Sequence, residues 1–156
     1  MFEPLVQTIE VPCDQQTAFT VFLELDSWWP KGRFATSVMR GEVVREVRVE
    51  ARDGGAIVEV CSDGEEYRWG TIRTYDPYGY LKMDFHVPHP GEASPGFSTV
   101  EVRFVPLADD RTRVELEQSD WESLGDVAEM AQSGYRTAWT AILADYRTAC
   151  EDRAAV

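Results

Sequence analysis

Two histidines, His86 and His89, are the residues of this sequence whose type and spacing most directly suggest chemistry. They lie in the segment HVPH, near Asp84 and Glu92, and imidazole and carboxylate groups are common zinc ligands. The segment joins the end of a predicted strand to a loop that contains proline, so the two rings do not share one helix face, as they do in helical zinc motifs. We therefore expect both histidines to be solvated, and we predict no metal site and no cofactor.

Acid–base catalysis requires a carboxylate or a histidine held close to a substrate. Most aspartates and glutamates here alternate with apolar residues in predicted strands, which is typical of a solvated face. Glu59 and Arg68 are exceptions, because they lie between apolar neighbours. The chain has no GxSxG nucleophile motif, and it has neither GxGxxG nor GxxxxGK[ST] for nucleotides. We therefore predict no catalytic residue, which favours a binding protein over an enzyme.

Aromatic residues make up 12% of the chain and can fill a core or line an apolar pocket. The candidates are Trp28, Trp29, Tyr67, Trp69, Phe85, Phe104, Trp121, Tyr135 and Trp139. For any one of them, packing in the core is the simpler interpretation. A ligand site requires several to converge, and that depends on the elements that carry them.

The last of these elements is a long amphipathic helix, predicted over residues 123–150. At 100° per residue, apolar side chains fall on one face. That face carries Leu124, Ala128, Ala131, Tyr135, Ala138, Ile142, Tyr146 and Ala149, with Trp139 at its edge. The middle of this face, around Ala131, Gly134 and Ala138, is made of small residues. They either bring the helix close to a sheet or leave a gap beneath it, and the sequence does not decide between the two.

Before that helix, the pattern predicts a strand over Leu5–Val11 and then a short helix capped by Asp14. From Val43 onward, apolar residues recur at every second position, and turn residues separate about six strands. Such hairpin-linked strands have one apolar face, which the long helix can cover. If its strand has no bulge, Trp69 shares a face with Arg73.

The composition bounds the possible functions. The chain has 156 residues and a net charge of −13, so we expect a single domain over residues 1–156 that binds neither nucleic acid nor an anionic membrane surface. The three cysteines are far apart and form no CxxC motif, which indicates buried, reduced thiols. Neither a signal peptide nor a membrane span is visible, so we expect a cytoplasmic protein.

Four segments in order resemble a known family along nearly the whole chain. They are VPCDQQTAFTVFLELDSWWP, YRWGTIRTYDPYGYLKMDF, VEVRFVPLADDRTRVELEQSDWE and AWTAILADY. Together they resemble the START-like (SRPBCC, helix-grip) superfamily, and within it the AHSA-type branch, named after the activator of the heat-shock chaperone ATPase. The chain departs from the family pattern at Gln118, Asp120 and Ala138, so no role is carried over to those positions.

The resemblance implies an α+β helix-grip fold. In that fold, a curved antiparallel sheet of six to seven strands wraps around the long C-terminal helix, and two short helices follow the first strand. An apolar cavity often lies between sheet and helix. Residues that can converge there on a ligand are Trp69, Phe85, Phe104, Tyr135 and Trp139.

Three functions remain open at this point. The leading hypothesis is a non-catalytic module that binds a small hydrophobic or aromatic ligand in the cavity. The second, implied by the family name, is a regulatory protein whose partner is a chaperone. The third is a cyclase- or hydrolase-like enzyme, since related branches of the superfamily are catalytic.

Overall fold

A computed structural model describes residues 2–92 and 96–155. Within these ranges, seven strands form one antiparallel sheet in the order β1-β7-β6-β5-β4-β3-β2. The strands are β1 (Leu5–Val11), β2 (Val44–Val49), β3 (Ala56–Cys61), β4 (Glu66–Asp76), β5 (Tyr80–Phe85), β6 (Ser98–Ala108) and β7 (Arg111–Ser119). The helices are α1 (Gln15–Leu23), α2 (Leu25–Trp28), α3 (Thr36–Met39), a 3-10 helix (Trp121–Val127) and α4 (Ala128–Ala154).

This architecture confirms the predicted α+β helix-grip fold, a curled sheet with a long C-terminal helix. Three short helical segments, and not two, follow the first strand. Asp14 caps α1 as predicted, because its carboxylate accepts a hydrogen bond of 2.8 Å from the backbone N–H of Thr17. Among the described residues, no helix combines the length and the apolar character needed to cross a bilayer.

The long helix packs its apolar face inward. Its buried residues are Ala128, Ala131, Tyr135, Ala138, Trp139, Ile142, Leu143, Tyr146 and Cys150. Trp139 joins it to the sheet, because its indole N–H donates to the side-chain oxygen of Gln118 on β7 at 2.7 Å. The ring centroid of Trp139 also lies 5.8 Å from that of Phe85 on β5. The helical periodicity therefore predicted the buried face of α4 correctly.

Regular α-helix begins later than the predicted start at Ser123. The preceding turn is 3-10, and it contains Gly125 with φ of 64° and ψ of −131°, which is not a helical conformation. A positive φ suits glycine, since it has no Cβ to clash with the backbone. The break separates the 3-10 segment from α4, which starts at Ala128.

Register shifts within the sheet overturn the simple alternation of the sequence. In β4, Gly70 pairs with Ile57 while Arg68 pairs with Val58, so Trp69 is an extra residue in a bulge. Trp69 and Ile72 lie in the same core and Arg73 is exposed, so the condition on which Trp69 and Arg73 would share a face, a strand without a bulge, is not met.

The start of β2 differs from the pattern in a similar way. Val43 precedes the strand and is 68% exposed, whereas Val44 is buried. The register shifts between Val44 and Glu46, which moves the inward position by one residue. The expectation that Val43 begins the inward-facing series is therefore wrong.

The three thiols provide a direct test of this packing. Cys13, Cys61 and Cys150 are free and buried. We expect the native protein to react with Ellman's reagent only on the timescale of unfolding, because the thiolate must be accessible in order to react. In guanidinium chloride all three thiols should react at once. Fast reaction of a thiol in the native state would show that one of these sites is open.

Candidate functional site

A cavity of about 270 Å³ lies between the first half of α4, the segment that carries α3, and the loop that follows β5. Apolar side chains dominate its wall. The lining residues are Trp29, Arg33, Phe34, Met39, His86, Val87, His89, Glu92, Val127, Met130, Ala131, Gly134, Tyr135, Ala138 and Ile142. The cavity therefore offers an apolar space with a few polar groups, the usual composition of a small-molecule site.

Small residues of α4 make room for this cavity. Ala131, Gly134 and Ala138 all line it, and they lie on one side of the helix. A Cβ atom built on Gly134 would have no atom within 4 Å, so the space beside it is open. Of the two alternatives left by the sequence, the small residues leave a gap and do not bring the helix against the sheet at this point.

Exposed residues mark the side on which the cavity opens. Arg33, Met39, His89 and Met130 line it and are also exposed to solvent. The Arg33 guanidinium lies 4.8 Å from the ring centroid of Phe34, which is a cation–π contact at the rim. A ligand that enters here meets a cation and two flexible thioethers first.

His86 lies inside this wall, not at the surface. The side chain is 4% exposed, and the backbone N–H donates to the carbonyl of Trp69 at 2.8 Å. The expectation that His86 is solvated is therefore wrong, whereas His89 is exposed. The physical reason is that β5 ends at Phe85, so the inward–outward alternation no longer determines the direction of the next side chain.

A carboxylate pairs with the buried imidazole. The Nε2 atom of His86 lies 2.6 Å from Oε1 of Glu92, and both side chains are buried. The other oxygen, Oε2, accepts the backbone N–H of His89 at 2.7 Å, which fixes the carboxylate in place. A carboxylate only accepts, so Nε2 carries the proton of this hydrogen bond.

Tyr135 of α4 completes the cluster from the opposite side. Its hydroxyl accepts the backbone N–H of Val87 at 2.7 Å and lies 3.2 Å from Nδ1 of His86. Burial lowers the pKa of His86, against the opposing influence of Glu92, so the neutral ring is favoured at neutral pH. With Nε2 protonated, Nδ1 is an acceptor, and the Tyr135 hydroxyl donates to it. Burial also raises the pKa of Tyr135.

A continuous series of hydrogen bonds therefore runs from Tyr135 through His86 to Glu92, and all three residues line the cavity. We name these residues the Tyr–His–Glu relay. Sequence reasoning noted His86 and Glu92 only as metal ligands and did not connect them with Tyr135. The sequence did contain a signal for the pair of His86 and Glu92, because the histidine directly follows a predicted strand and the carboxylate lies in the next loop. The contact with Tyr135 could not be predicted, because only the fold brings α4 against that loop.

The five residues predicted to bind a ligand do not all reach the cavity. Tyr135 lines it. Trp69, Phe85 and Trp139 lie behind it in a cluster of aromatic rings whose neighbouring centroids are about 6 Å apart, from Trp69 to Phe85 and from Phe85 to Trp139. Phe104 packs against Phe19, at 5.3 Å between ring centroids, and is not part of the wall. The difference arises because the gap lies between α4, the segment that carries α3 and the loop after β5, and not between α4 and the sheet.

Glu59, which the sequence singled out, has a structural role. It is fully buried in β3 and accepts hydrogen bonds from the Trp69 indole at 2.9 Å and from the backbone N–H groups of Thr36 and Ser37 at 2.9 and 2.7 Å. The Ser37 hydroxyl also donates to it. This carboxylate anchors α3 to the sheet. Arg68, the other exception, is exposed and donates to the Thr71 hydroxyl at 2.6 Å.

Metal binding gains no support from the geometry. In residues 2–92 and 96–155, no three His, Cys, Asp or Glu side chains are grouped so as to hold a metal ion. The nitrogen of His86 that faces Glu92 is engaged in a direct hydrogen bond. The hydrogen bonds from Tyr135 through His86 to Glu92 offer proton donation and acceptance at the wall of an apolar cavity.

A curled antiparallel sheet that holds a long C-terminal helix, with a cavity beside that helix, defines a START-like (helix-grip) protein. The model of the family described as "Activator of Hsp90 ATPase homolog 1-like protein" matches residues 16–147. The chain therefore belongs to this AHSA-type family. A search of curated protein sequences gives no match.

Several solved structures are similar along most of the chain. The self-sacrificing resistance protein CalC from Micromonospora echinospora is 24% identical, with 96% of this chain and 95% of CalC covered and a TM-score of 0.71. The anthrahydroquino-γ-pyrone synthase Txn09 is 27% identical over 84% of this chain and 85% of its own, with a TM-score of 0.58. A norcoclaurine synthase mutant from Thalictrum flavum, solved with a transition-state analogue, is 13% identical over 97% and 95%, with a TM-score of 0.59.

Proposed function

We propose that this protein binds a small hydrophobic or aromatic ligand in the cavity beside α4. The observation that supports the proposal most is the apolar space of about 270 Å³ that Ala131, Gly134 and Ala138 leave open. Ligand pockets are commonly about 300–1,000 Å³, so this volume suits a small ligand of up to about three rings. The name of Txn09, a synthase 27% identical to this chain, also agrees with a small-molecule site in this fold.

The walls suggest how such a ligand would lie. Trp29 and Phe34 offer aromatic surface, and the Trp29 indole N–H is fixed by a 2.7 Å hydrogen bond to the Phe34 carbonyl. Apart from Arg33 and His89 at the rim, the polar groups of the wall lie around Tyr135 and His86. A ligand with an apolar body and a single polar group matches this distribution. Of the five residues predicted from the sequence, Tyr135 contacts the ligand in this proposal, whereas Trp69, Phe85, Phe104 and Trp139 support the wall.

Gly134→Leu is the decisive variant. Its side chain extends into open space, so we expect it to fill the cavity without disturbing the core. Binding of the neutral fluorescent probe N-phenyl-1-naphthylamine should weaken about tenfold or more, which corresponds to about 1.4 kcal/mol. The melting temperature should stay the same or rise, because glycine inside a helix costs about 1 kcal/mol relative to alanine. Fluorescence titration and calorimetry measure the two effects separately.

Two matched variants control this experiment. Gly134→Ala gives the same gain in helix propensity with little added volume, so the probe should still bind. Thr137→Leu adds a leucine to an exposed position of α4 outside the cavity wall and should leave probe binding unchanged. Failure of the unmodified protein to bind the probe would contradict the proposal and favour the chaperone-associated alternative, which uses an exposed surface.

A further inference from the structure

The Tyr–His–Glu relay contains buried titratable groups that the wall of a binding cavity does not require. Apolar side chains could close the loop against α4 at lower cost, because removing a carboxylate and an imidazole from water is unfavourable. Instead, the Glu92 and His86 side chains are buried to within a few per cent and hydrogen-bonded at 2.6 Å. Buried, coupled titratable groups in a cavity are a feature of functional sites.

The hydroxyl of Tyr135 belongs to a cavity-lining residue and joins α4 to the loop after β5. It donates one hydrogen bond to Nδ1 of His86 and accepts one from the Val87 N–H. A phenol oxygen has two acceptor positions, so one lone pair remains. The residues that share these two hydrogen bonds, Tyr135, His86 and Val87, all line the cavity.

We propose that Tyr135 is a catalytic residue that removes a proton from the carbon next to the carbonyl of a small apolar ketone. His86, which accepts the phenol proton, and Glu92, which balances the resulting charge, act through Tyr135 as positioning residues. This inference rests on the proposed ligand cavity and adds an activity to it. It also replaces the expectation of a non-catalytic module, which rested on the lack of a recognisable acid–base pair in the sequence.

The step conserves atoms and charge. The Tyr135 oxygen takes the proton from the α carbon, while the phenol proton moves to Nδ1 of His86. The electron pair of the broken C–H bond becomes the enolate, and the imidazolium that forms is balanced by the Glu92 carboxylate. Burial makes a free tyrosinate unfavourable, so the two protons move together, and the Val87 N–H stabilises the oxygen during the transfer. The reverse step returns a proton to carbon, so no oxidant or reductant is needed.

The substrate class follows from the shape and polarity of the cavity. Its wall is mainly apolar, and apart from Arg33 and His89 at the rim its polar groups belong to the Tyr–His–Glu relay, so the reactive carbon and carbonyl must be part of a compact hydrophobic body. An aromatic ketone with activated α protons fits this description. We therefore choose β-tetralone, a bicyclic aromatic ketone, as the probe substrate.

The experiment follows deuterium incorporation at the α carbon of β-tetralone in D₂O by NMR. The unmodified protein should exchange these protons faster than buffer alone, with saturation in ketone concentration. Tyr135→Phe should lower the exchange rate by about 10²-fold or more, the usual contribution of a positioned acid–base group. His86→Gln should lower it as well, although Gln retains hydrogen-bonding capacity towards both neighbours.

A matched control separates catalysis from packing. Tyr146 is another buried tyrosine of α4, its hydroxyl donates to the Ala18 carbonyl at 2.7 Å, and it does not line the cavity. Tyr146→Phe therefore removes a comparable hydrogen bond and should leave exchange unchanged. In Tyr135→Phe, binding of N-phenyl-1-naphthylamine should persist while exchange is lost, a separation that a merely structural role would not produce.

The pH profile gives a second test. The groups that face His86 are Tyr135 from α4 together with Glu92 and His89 from the loop, and Arg33 shares the cavity. Since burial lowers the pKa of His86, the neutral acceptor form persists at neutral pH and below the ordinary histidine value. The exchange rate should therefore be constant near pH 7 and fall only at acid pH, with a midpoint below about 6.5.

Exchange no faster than in buffer, although the naphthylamine probe binds, would overturn the catalytic inference and leave the proposed binding function intact. Exchange that survives Tyr135→Phe would overturn it as well. If neither the probe nor the ketone binds, the cavity proposal itself fails. The two proposals thus fail in distinguishable ways.

Discussion

Glu59→Ala is expected to lower the free energy of unfolding by roughly 3–5 kcal/mol, a large share of the total stability of a domain of this size. The carboxylate is fully buried and accepts from one indole N–H, two backbone N–H groups and one hydroxyl. Alanine leaves these donors buried without an acceptor, and each such donor costs about 1–3 kcal/mol when it finds no new partner. Urea unfolding followed by tryptophan fluorescence measures the loss.

Two further variants test whether the lost hydrogen bonds of the Glu59 carboxylate cause the decrease in stability. Glu59→Gln preserves the volume but brings an amide N–H₂ against donors, so we expect an intermediate loss of stability. Glu66→Ala removes an exposed carboxylate of β4 that pairs with Arg48 at 3.2 Å, and it should change stability by less than about 1 kcal/mol. A loss below about 1 kcal/mol for Glu59→Ala would show that water or a rearranged α3 satisfies the donors.

The position of Glu59 illustrates what alternation in a sequence can and cannot predict. A carboxylate between apolar neighbours in a strand indicated an unusual environment. The partners that make it tolerable, the N–H groups at the start of α3, lie 22 and 23 residues away in sequence. No local pattern specifies which loop will deliver donors to a buried acid, so the sequence identified the residue but not its role.

For the long helix α4, in contrast, the sequence predicted the role of most residues but not the cavity beside them. Its apolar face was predictable because one period of 3.6 residues governs the whole element. The gap beside Gly134 was not, because it depends on how far the loop after β5 stands from α4. The Tyr–His–Glu relay depends on the same distance. Periodicity therefore predicts which residues face inward, while the cavity and the relay depend on where α4 leaves a gap beside the loop after β5 and where it contacts that loop.

The bulge in β4 limits prediction in a third way. One extra residue at Trp69 reverses the facing of residues 70–72 relative to a regular alternation. A second register shift, at Arg73, restores the facing, so that Tyr75 packs against the core. Gly70 is the one hint of irregularity in the sequence, since it follows Trp69 at a position where a strand would favour a branched residue. The structure explains this glycine by close contact between two strands.

Gly70→Ala is expected to be among the most destabilising single substitutions in the chain. A Cβ atom on Gly70 would lie 1.7 Å from the carbonyl oxygen of Asp84 and 3.2 Å from the Cα atom of Phe85, both in the backbone of β5. Backbone atoms cannot rotate away as a side chain can, so β4 and β5 must separate. We expect a loss of about 3 kcal/mol or more, at the upper end of overpacking effects.

Gly70→Ala should also alter the cavity. His86 follows β5 directly, and its N–H donates to the Trp69 carbonyl beside Gly70 at 2.8 Å. Separation of the two strands therefore shifts the relay, and naphthylamine binding should weaken together with stability in Gly70→Ala. Gly134→Ala is the matched control, since its Cβ meets open space and the same substitution should stabilise by up to about 1 kcal/mol. Equal urea midpoints for the two variants would show that β4 accommodates a side chain at Gly70, and the close strand contact would then not explain the glycine.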